Sequence, residues 1–242
     1  MTYDEPFFAL LDGTPDGTPY PQTVHGLGIL HVPSGRLEAS DPYVGLGDGI
    51  VTQIPPGSYP AFVTVADVSD ARDGSHLREA YLSLVVSDAA PVAEVRLVTP
   101  EDTEPLGDGE FYGVPVDAGT VAFVDAEAIE SGMPPEDSDG DDTWYDDVFD
   151  NGTPDSWFSL MDSPDHYVEG SANVTMPLAV DGENVVLSHS GWGDGFYPVV
   201  TTHAADGSLL GVHIDLLVAG PDLDEDDEED AAEAVTTAPA TV

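Results

Sequence analysis

Short apolar segments separated by Gly, Pro, Asp and Ser recur along most of the chain. They are rich in β-branched and aromatic residues, and several alternate partly between apolar and polar positions, as half-buried antiparallel strands do. The segments that this pattern predicts as strands are residues 27–32, 50–54, 61–68, 80–87, 92–98, 121–125, 183–189, 196–203 and 209–218. They predict a mainly β fold, either an antiparallel sandwich or a strongly bent sheet, with roughly eight to eleven strands.

A few short helices are predicted between the strands. Residues 125–131 and 156–162 each have the length of a short helix, and Asp125 and Asp155 are candidate N-caps. The segment 131–164 is rich in Pro, Gly and Asp and has no strand pattern. We interpret this segment as an acidic insertion whose aromatic residues pack against the rest of the protein.

The chain is expected to form one domain rather than two. Its 242 residues are enough for a single large β domain with a substantial core. Residues 25–220 are predicted to be this β-rich domain, and residues 1–24 an N-terminal extension. Residues 221–242 contain nine acidic residues and few large apolar ones, which predicts a disordered acidic tail.

The charge of the chain excludes several classes of function. The sequence has no lysine, and its four arginines face 48 carboxylates, which gives a net charge of −44. Nucleic acids and anionic membranes bind proteins through Lys and Arg, so the chain is predicted to bind neither. A Gly-rich phosphate-binding loop also needs a lysine, so phosphoryl transfer is not predicted for this chain. The absence of cysteine excludes disulfides, thiolate metal sites and a cysteine nucleophile.

The N-terminal residues do not resemble a secretory signal. They carry early acidic residues, no Lys or Arg and only a short apolar run. Nowhere does the sequence contain the roughly 18 to 20 consecutive apolar residues that a membrane-spanning helix needs. These features predict a cytoplasmic protein.

The acidic insertion contains candidate metal ligands. Asp137, Asp139 and Asp141 occupy alternate positions, as carboxylates do in a calcium-binding loop. The sixth position of such a loop is normally a Gly and the twelfth a Glu, but here they are Asp142 and Val148. The pattern of a calcium-binding loop therefore fails at two positions, and no cofactor is assigned. Calcium or another divalent cation is the candidate ligand.

The most unusual short segment is Ser190–Gly195, with the sequence SGWGDG. We interpret it first as a turn that joins two core strands, with Trp192 buried as an anchor and Asp194 bonded to the backbone amides of its own turn. The functional alternative is a binding pocket. Its rim would be formed by four side chains, with Trp192 beside them: Asp117, His189, Asp194 and Asp215.

Histidines near this segment extend the alternative. His213 and Asp215 are two residues apart on a predicted strand and therefore lie on one face. His189 lies before the predicted strand 196–203, and His203 lies at its end. They are expected to meet His213 and Asp215 across a hairpin. Such a His/Asp cluster is suited to a divalent metal or to general base catalysis.

Several sequence blocks occur in an order that can be compared with known families. They are PSGRLEASDPYV (33–44), IPPGSYPAFVTV (54–65), EFYGVPVDAGTVAFVDAEA (110–128), SGWGDGFYPVV (190–200) and LLGVHIDLLV (209–218). In this order the chain resembles the uncharacterised bacterial family called domain of unknown function 4241, over about residues 25 to 218. The resemblance implies one mostly β domain and names no reaction, cofactor or catalytic residue.

The acidity has three interpretations that differ in function. The first is a non-enzymatic acidic binding protein, such as an inhibitor or immunity protein, whose carboxylates recognise a basic protein partner. The second is a divalent-metal-binding protein or metal-dependent enzyme that uses the Asp/His cluster. The third is a halophilic-like adaptation, in which the charge solvates the protein at high salt and says nothing of its function. We expect the first.

Overall fold

The computed structural model describes residues 3, 5–100, 103, 106, 107, 109–135 and 144–220. The predicted tail, residues 221–242, lies outside these residues. So do the candidate metal ligands Asp137, Asp139 and Asp141. Over the part of the chain that the structure describes, no helix has the length and apolar character needed to cross a membrane.

The described residues are mostly strand. In chain order the strands are β1 (Gln22–Val32), β2 (Arg36–Ser40), β3 (Ile50–Gln53), β4 (Gly57–Asp67), β5 (Leu77–Val85), β6 (Glu94–Leu97), β7 (Gly113–Val116), β8 (Thr120–Asp125), β9 (Ser171–Thr175), β10 (Asn184–His189), β11 (Gly195–His203) and β12 (Leu209–Asp215). The helices are α1 (Ala126–Gly132), a π-helical turn (Tyr145–Phe149) and α2 (Trp157–Met161). The predicted mainly β fold with a few short helices is confirmed.

The strands form two antiparallel sheets. One has seven strands in the order β1-β4-β5-β12-β11-β6, with β7 paired to the first half of β11. The other has five strands in the order β3-β2-β8-β10-β9. The main hydrophobic core lies between the two sheets and includes Leu82 and Ile214 from the first sheet and Phe123 and Val186 from the second. The molecule is therefore an antiparallel sandwich.

A second hydrophobic cluster covers the outer face of the five-stranded sheet. It is built by Phe149, Trp157 and Met161 from the insertion, which pack against alternate residues of β8 and β10 such as Val124 and Val185. Burial of these large side chains holds the helices of the insertion to the sheet. Most aromatic residues of the insertion pack against the protein, as the sequence indicates, whereas Tyr145 is 44% exposed.

The helix starts differ in how well the sequence predicts them. Asp125 caps α1, because its side chain accepts a hydrogen bond from the Glu127 N–H. The prediction that Asp155 caps α2 is wrong. The Ser156 hydroxyl accepts from the Ser159 N–H at 3.2 Å and so satisfies a free amide of the first turn.

The N-terminal residues cross the outer face of the seven-stranded sheet. We call Tyr3 and residues 5–13 the N-terminal strap. The Tyr3 N–H donates to the Val95 carbonyl on β6, and Gly13 pairs with Gln22 at the start of β1. Between these ends the strap passes over β5 and β4, and Phe8 is buried. The strap therefore spans most of the width of the sheet.

Candidate functional site

The Trp192 loop, which we define as Ser190–Gly195, connects β10 of one sheet to β11 of the other. It is fastened at its base by hydrogen bonds. The Ser190 N–H donates to the Gly119 carbonyl at 3.0 Å. The Ser190 and Tyr197 hydroxyls both donate to the Gly193 carbonyl, at 2.6 and 2.8 Å. The loop is thus a fixed connection between the two layers of the sandwich.

Gly191 is required where this loop passes over the seven-stranded sheet. Its φ is +71°, a conformation that other residues rarely adopt. A Cβ there would also lie 2.6 Å from the Glu79 carbonyl oxygen and 2.6 Å from Val218 Cγ2. The backbone is therefore packed directly on its neighbours and leaves no room for an indole beneath it.

The interpretation of Trp192 as a buried anchor is consequently wrong. The loop does join two core strands, but Trp192 is 54% exposed. The turn is fixed at the Gly193 carbonyl, which accepts from the hydroxyls of Ser190 and Tyr197. The side chains of Trp192 and Asp194 both face solvent.

Residues of the β4–β5 connection and of β5 support the exposed indole. The Arg78 guanidinium lies 5.7 Å from the centre of the Trp192 ring, and the His76 ring meets it edge-on at 6.4 Å. Leu77 is 51% exposed beside them. The sequence analysis missed Arg78, although an arginine in a chain with only four of them is itself a signal. These contacts hold the indole in place on the surface.

Asp117 belongs to a turn that adjoins the Trp192 loop. The turn is organised by Asp41, which is buried after β2 and which sequence reasoning also missed. One Asp41 oxygen accepts from the N–H groups of Asp117 and Ala118, at 3.0 and 2.8 Å. The other accepts from the Thr120 hydroxyl at 2.7 Å. The Asp117 side chain itself is exposed.

His189 is paired with a carboxylate that the sequence analysis did not identify. Its Nδ1 lies 3.8 Å from Glu79 Oε1, and the His189 side chain is half-exposed while that of Glu79 is largely buried. Burial raises the pKa of Glu79, and the neighbouring His189 partly opposes this effect. Gly170 closes the pair from one side, because a Cβ there would lie 2.3 Å from Glu79 Oε1.

Asp215 lies apart from these residues. It is buried at the end of β12 beneath the N-terminal strap, where Tyr3 donates to it at 2.9 Å and Tyr81 also hydrogen-bonds to it. Burial raises the pKa of Asp215 to about 7. The structure therefore brings Asp117, His189, Trp192 and Asp194 together on adjoining segments. Asp215 lies apart from them, buried beneath the N-terminal strap.

The expected meeting of histidines across a hairpin is wrong. β10 lies in the other sheet, so His189 does not reach His213 and Asp215 across a hairpin. β11 and β12 do form a hairpin, but its register sets His203 opposite Leu209 and His213 opposite Val200. His203 bonds instead to Thr201 and to the Gly207 carbonyl in the turn that follows β11. His213 lies between the hydroxyls of Ser83 and Thr202, at 2.9 and 3.1 Å.

The described residues contain no group of three or more His, Asp and Glu side chains that could hold a metal ion. An exposed indole stands on a rigid loop, with the exposed carboxylates of Asp117 and Asp194 on the same pair of adjoining segments.

A family model described as Protein of unknown function (DUF4241) matches residues 30–214, more than half of the chain. This confirms the resemblance seen in the sequence blocks. No curated protein and no solved structure matches the chain.

Proposed function

This chain belongs to the DUF4241 family, and we propose that it is a non-enzymatic acidic binding protein that recognises a basic protein partner, in the manner of an inhibitor or immunity protein. The exposed Trp192 loop is the centre of the binding surface. The exposure of Trp192 on a loop flanked by carboxylates is the observation that carries the proposal.

The arginines of the protein are engaged in contacts within the chain. Arg36 lies 3.7 Å from Glu127, and Arg96 lies 2.6 Å from Glu94. Arg72 donates to backbone carbonyls and lies over the Tyr20 ring, and Arg78 lies beside Trp192. Most of the 48 carboxylates have no basic residue to oppose them. Their field attracts a cationic protein and raises the rate of association.

An exposed tryptophan supplies binding energy that charge alone does not. Tryptophan is enriched among the few interface residues that contribute most of the binding energy. Trp192 is preorganised, because Arg78 and His76 hold the ring and Asp41 holds the adjoining turn. Phe196, the residue that follows the loop, is 40% exposed and stacks on Phe111 with 5.4 Å between the ring centres. A rigid aromatic surface with an acidic border fits a basic partner.

The test compares matched variants in affinity capture. The full chain is immobilised, proteins are captured from a cell extract at low salt and eluted in molar salt, and each eluted protein is identified and purified. Trp192→Ala should weaken the affinity for the purified partner by at least about 30-fold, the size expected for a central interface tryptophan. Asp194→Asn should mainly slow association at low salt.

The controls are exposed residues outside the proposed surface. Val180→Ala removes an exposed apolar side chain, and Asp206→Asn removes an exposed charge. Neither should change the affinity by more than about twofold. Equal binding by the Trp192→Ala variant and wild type, or a partner that carries net negative charge, would contradict the proposal.

The same preparation tests the other two interpretations. If the protein captures nothing and is folded only in molar salt, the acidity is an adaptation to salt. If calcium or another divalent cation raises the melting temperature at constant ionic strength, a metal-binding function replaces the one proposed here.

A further inference from the structure

A cavity of about 440 Å³ lies where the chain passes from β6 to β7. β6 pairs with the second half of β11, and β7 pairs with its first half. The lining includes Leu97, Val98 and Thr99 at the end of β6, and Glu110, Phe111 and Tyr112 just before β7. The cavity is therefore lined mainly by apolar and aromatic side chains.

Two parts of the lining are fixed by the sheet. The Phe111 ring stacks on Phe196 of β11, with 5.4 Å between the ring centres. A Cβ at Gly113 would lie 3.0 Å from the Phe111 ring and 2.5 Å from the Tyr197 carbonyl oxygen, so this glycine allows the close approach of β7 to β11. Val98 belongs to the main core, and its N–H donates to a β11 carbonyl at 2.8 Å. A preformed lining binds a ligand without the entropic cost of ordering the site.

The charge at this cavity is negative. Glu110 contributes a carboxylate to the lining, and its Oε2 accepts from the Gly107 N–H at 2.7 Å. The Glu110 N–H donates to the Gly107 carbonyl at 3.3 Å, so the residue is held in a local turn. The sequence from residue 99 to residue 112 contains five acidic residues and no Lys, Arg or His. A cation is therefore the charged group that complements this part of the chain.

We propose that this cavity binds a small organic ammonium ion, whose apolar body fills the cavity and whose charge pairs with Glu110. The volume and the mainly apolar lining are those of a small-molecule site. The faces of the Phe111 and Tyr112 rings suit an apolar body and also attract a cation. The net charge of −44 concentrates cations near the protein and repels anions. This site is separate from the Trp192 surface and does not depend on the function proposed for it.

The experiment titrates the full chain with three probes of similar shape and different charge. They are naphthylethylammonium, the neutral naphthylethanol and the anionic naphthylpropionate, each at about 0.15 M salt. Binding is followed by NMR at the amides of Leu97, Phe111 and Tyr112. The ammonium probe should bind with a Kd of about 1 mM or lower, as expected for a ligand of its size. The alcohol should bind at least about fivefold more weakly, and the carboxylate more weakly still.

Matched variants separate the charge of the site from its shape. Glu110→Gln should weaken binding of the ammonium probe by about fivefold and change binding of the alcohol by less than about twofold. Glu130→Gln removes an exposed carboxylate on α1 and should leave both affinities unchanged. Leu97→Trp fills part of the cavity and should weaken both probes by at least about tenfold. Trp192→Ala should have no effect on the probes, whatever it does to binding of a protein partner.

Three results would overturn the proposal. They are no binding of the ammonium probe in the millimolar range, equal binding of the ammonium and carboxylate probes, and equal effects of Glu110→Gln and Glu130→Gln. If Leu97→Trp does not fold, the wild-type spectra decide the location. Signal changes centred on Leu97, Phe111 and Tyr112 support the site, and changes spread over exposed carboxylates elsewhere overturn it.

Discussion

Trp157 and Trp192 both lie in connections rich in Gly, Asp and Ser, yet they end in opposite environments. Trp157 is 2% exposed and packs against Phe149 on the five-stranded sheet, whereas Trp192 is 54% exposed. The insertion brings several aromatic residues that bury one another on a flat apolar face. The Trp192 loop contains one aromatic residue, and at Gly191 its backbone lies directly against the seven-stranded sheet. A tryptophan in such a connection is buried only where other large side chains surround it and the backbone leaves room for its ring.

The largest expected effect is the loss of protein stability when the buried Trp157 is truncated. Trp157→Ala should lower the free energy of unfolding by about 3 to 5 kcal/mol, because it removes a large buried side chain and leaves a cavity. Trp192→Ala should change it by less than about 0.5 kcal/mol, as exposed positions do. Urea denaturation of both variants measures the difference. Equal losses would show that Trp192 contributes to the core after all.

The next effect concerns the turn at Asp117 that adjoins the Trp192 loop. Asp41→Asn should cost about 3 kcal/mol. Hydrogen-bond donors face both carboxylate oxygens, so an amide NH₂ in either orientation leaves buried donors without an acceptor. The variant should also increase hydrogen exchange at Ala118. Asp70→Asn removes an exposed carboxylate and should leave both quantities unchanged. A stable Asp41→Asn variant with a protected Ala118 would refute this role.

The smallest effect isolates the close approach at Gly191. Gly191 and Gly152 have nearly the same φ, +71° and +72°, but a Cβ at Gly152 would meet nothing within 4 Å. Replacement by Ala therefore places a side chain at a left-handed φ at both sites and causes a steric clash only at Gly191. Gly191→Ala should be about 2 kcal/mol more destabilising than Gly152→Ala, as measured by thermal unfolding. Equal costs would mean that the loop can lift off the sheet.

The sequence predicts strands well where apolar residues dominate them. It misses β2, β7 and β9 for local reasons. β2 contains Arg36 and a buried Glu38, whose carboxylate accepts from the Gly47 N–H. β7 contains Pro115, and β9 is short and polar. These strands exist because neighbouring strands pair with them, which single-segment patterns do not record.

The candidate site is predicted only as far as it is local in sequence. Trp192 and Asp194 lie in the SGWGDG motif and His189 directly precedes it, so the sequence alone indicates that they are close together. Asp41 and Glu79 act on residues 76 and 110 positions away, and no spacing rule connects them. The grouping of Asp215 with His189 fails for a related reason. A strand has two faces, and the sequence does not show which one the rest of the chain covers.

The order of the strands has a consequence for how the protein is made. Among the described strands the chain passes from one sheet to the other four times, and β5 pairs with β12, so that Tyr81 lies opposite Asp215. During synthesis from the N-terminus, β5 leaves the ribosome long before its partner exists. One edge of β5 stays open until nearly the whole domain has been translated. Pairings over such distances form slowly, and the nascent chain is most exposed to aggregation in that interval.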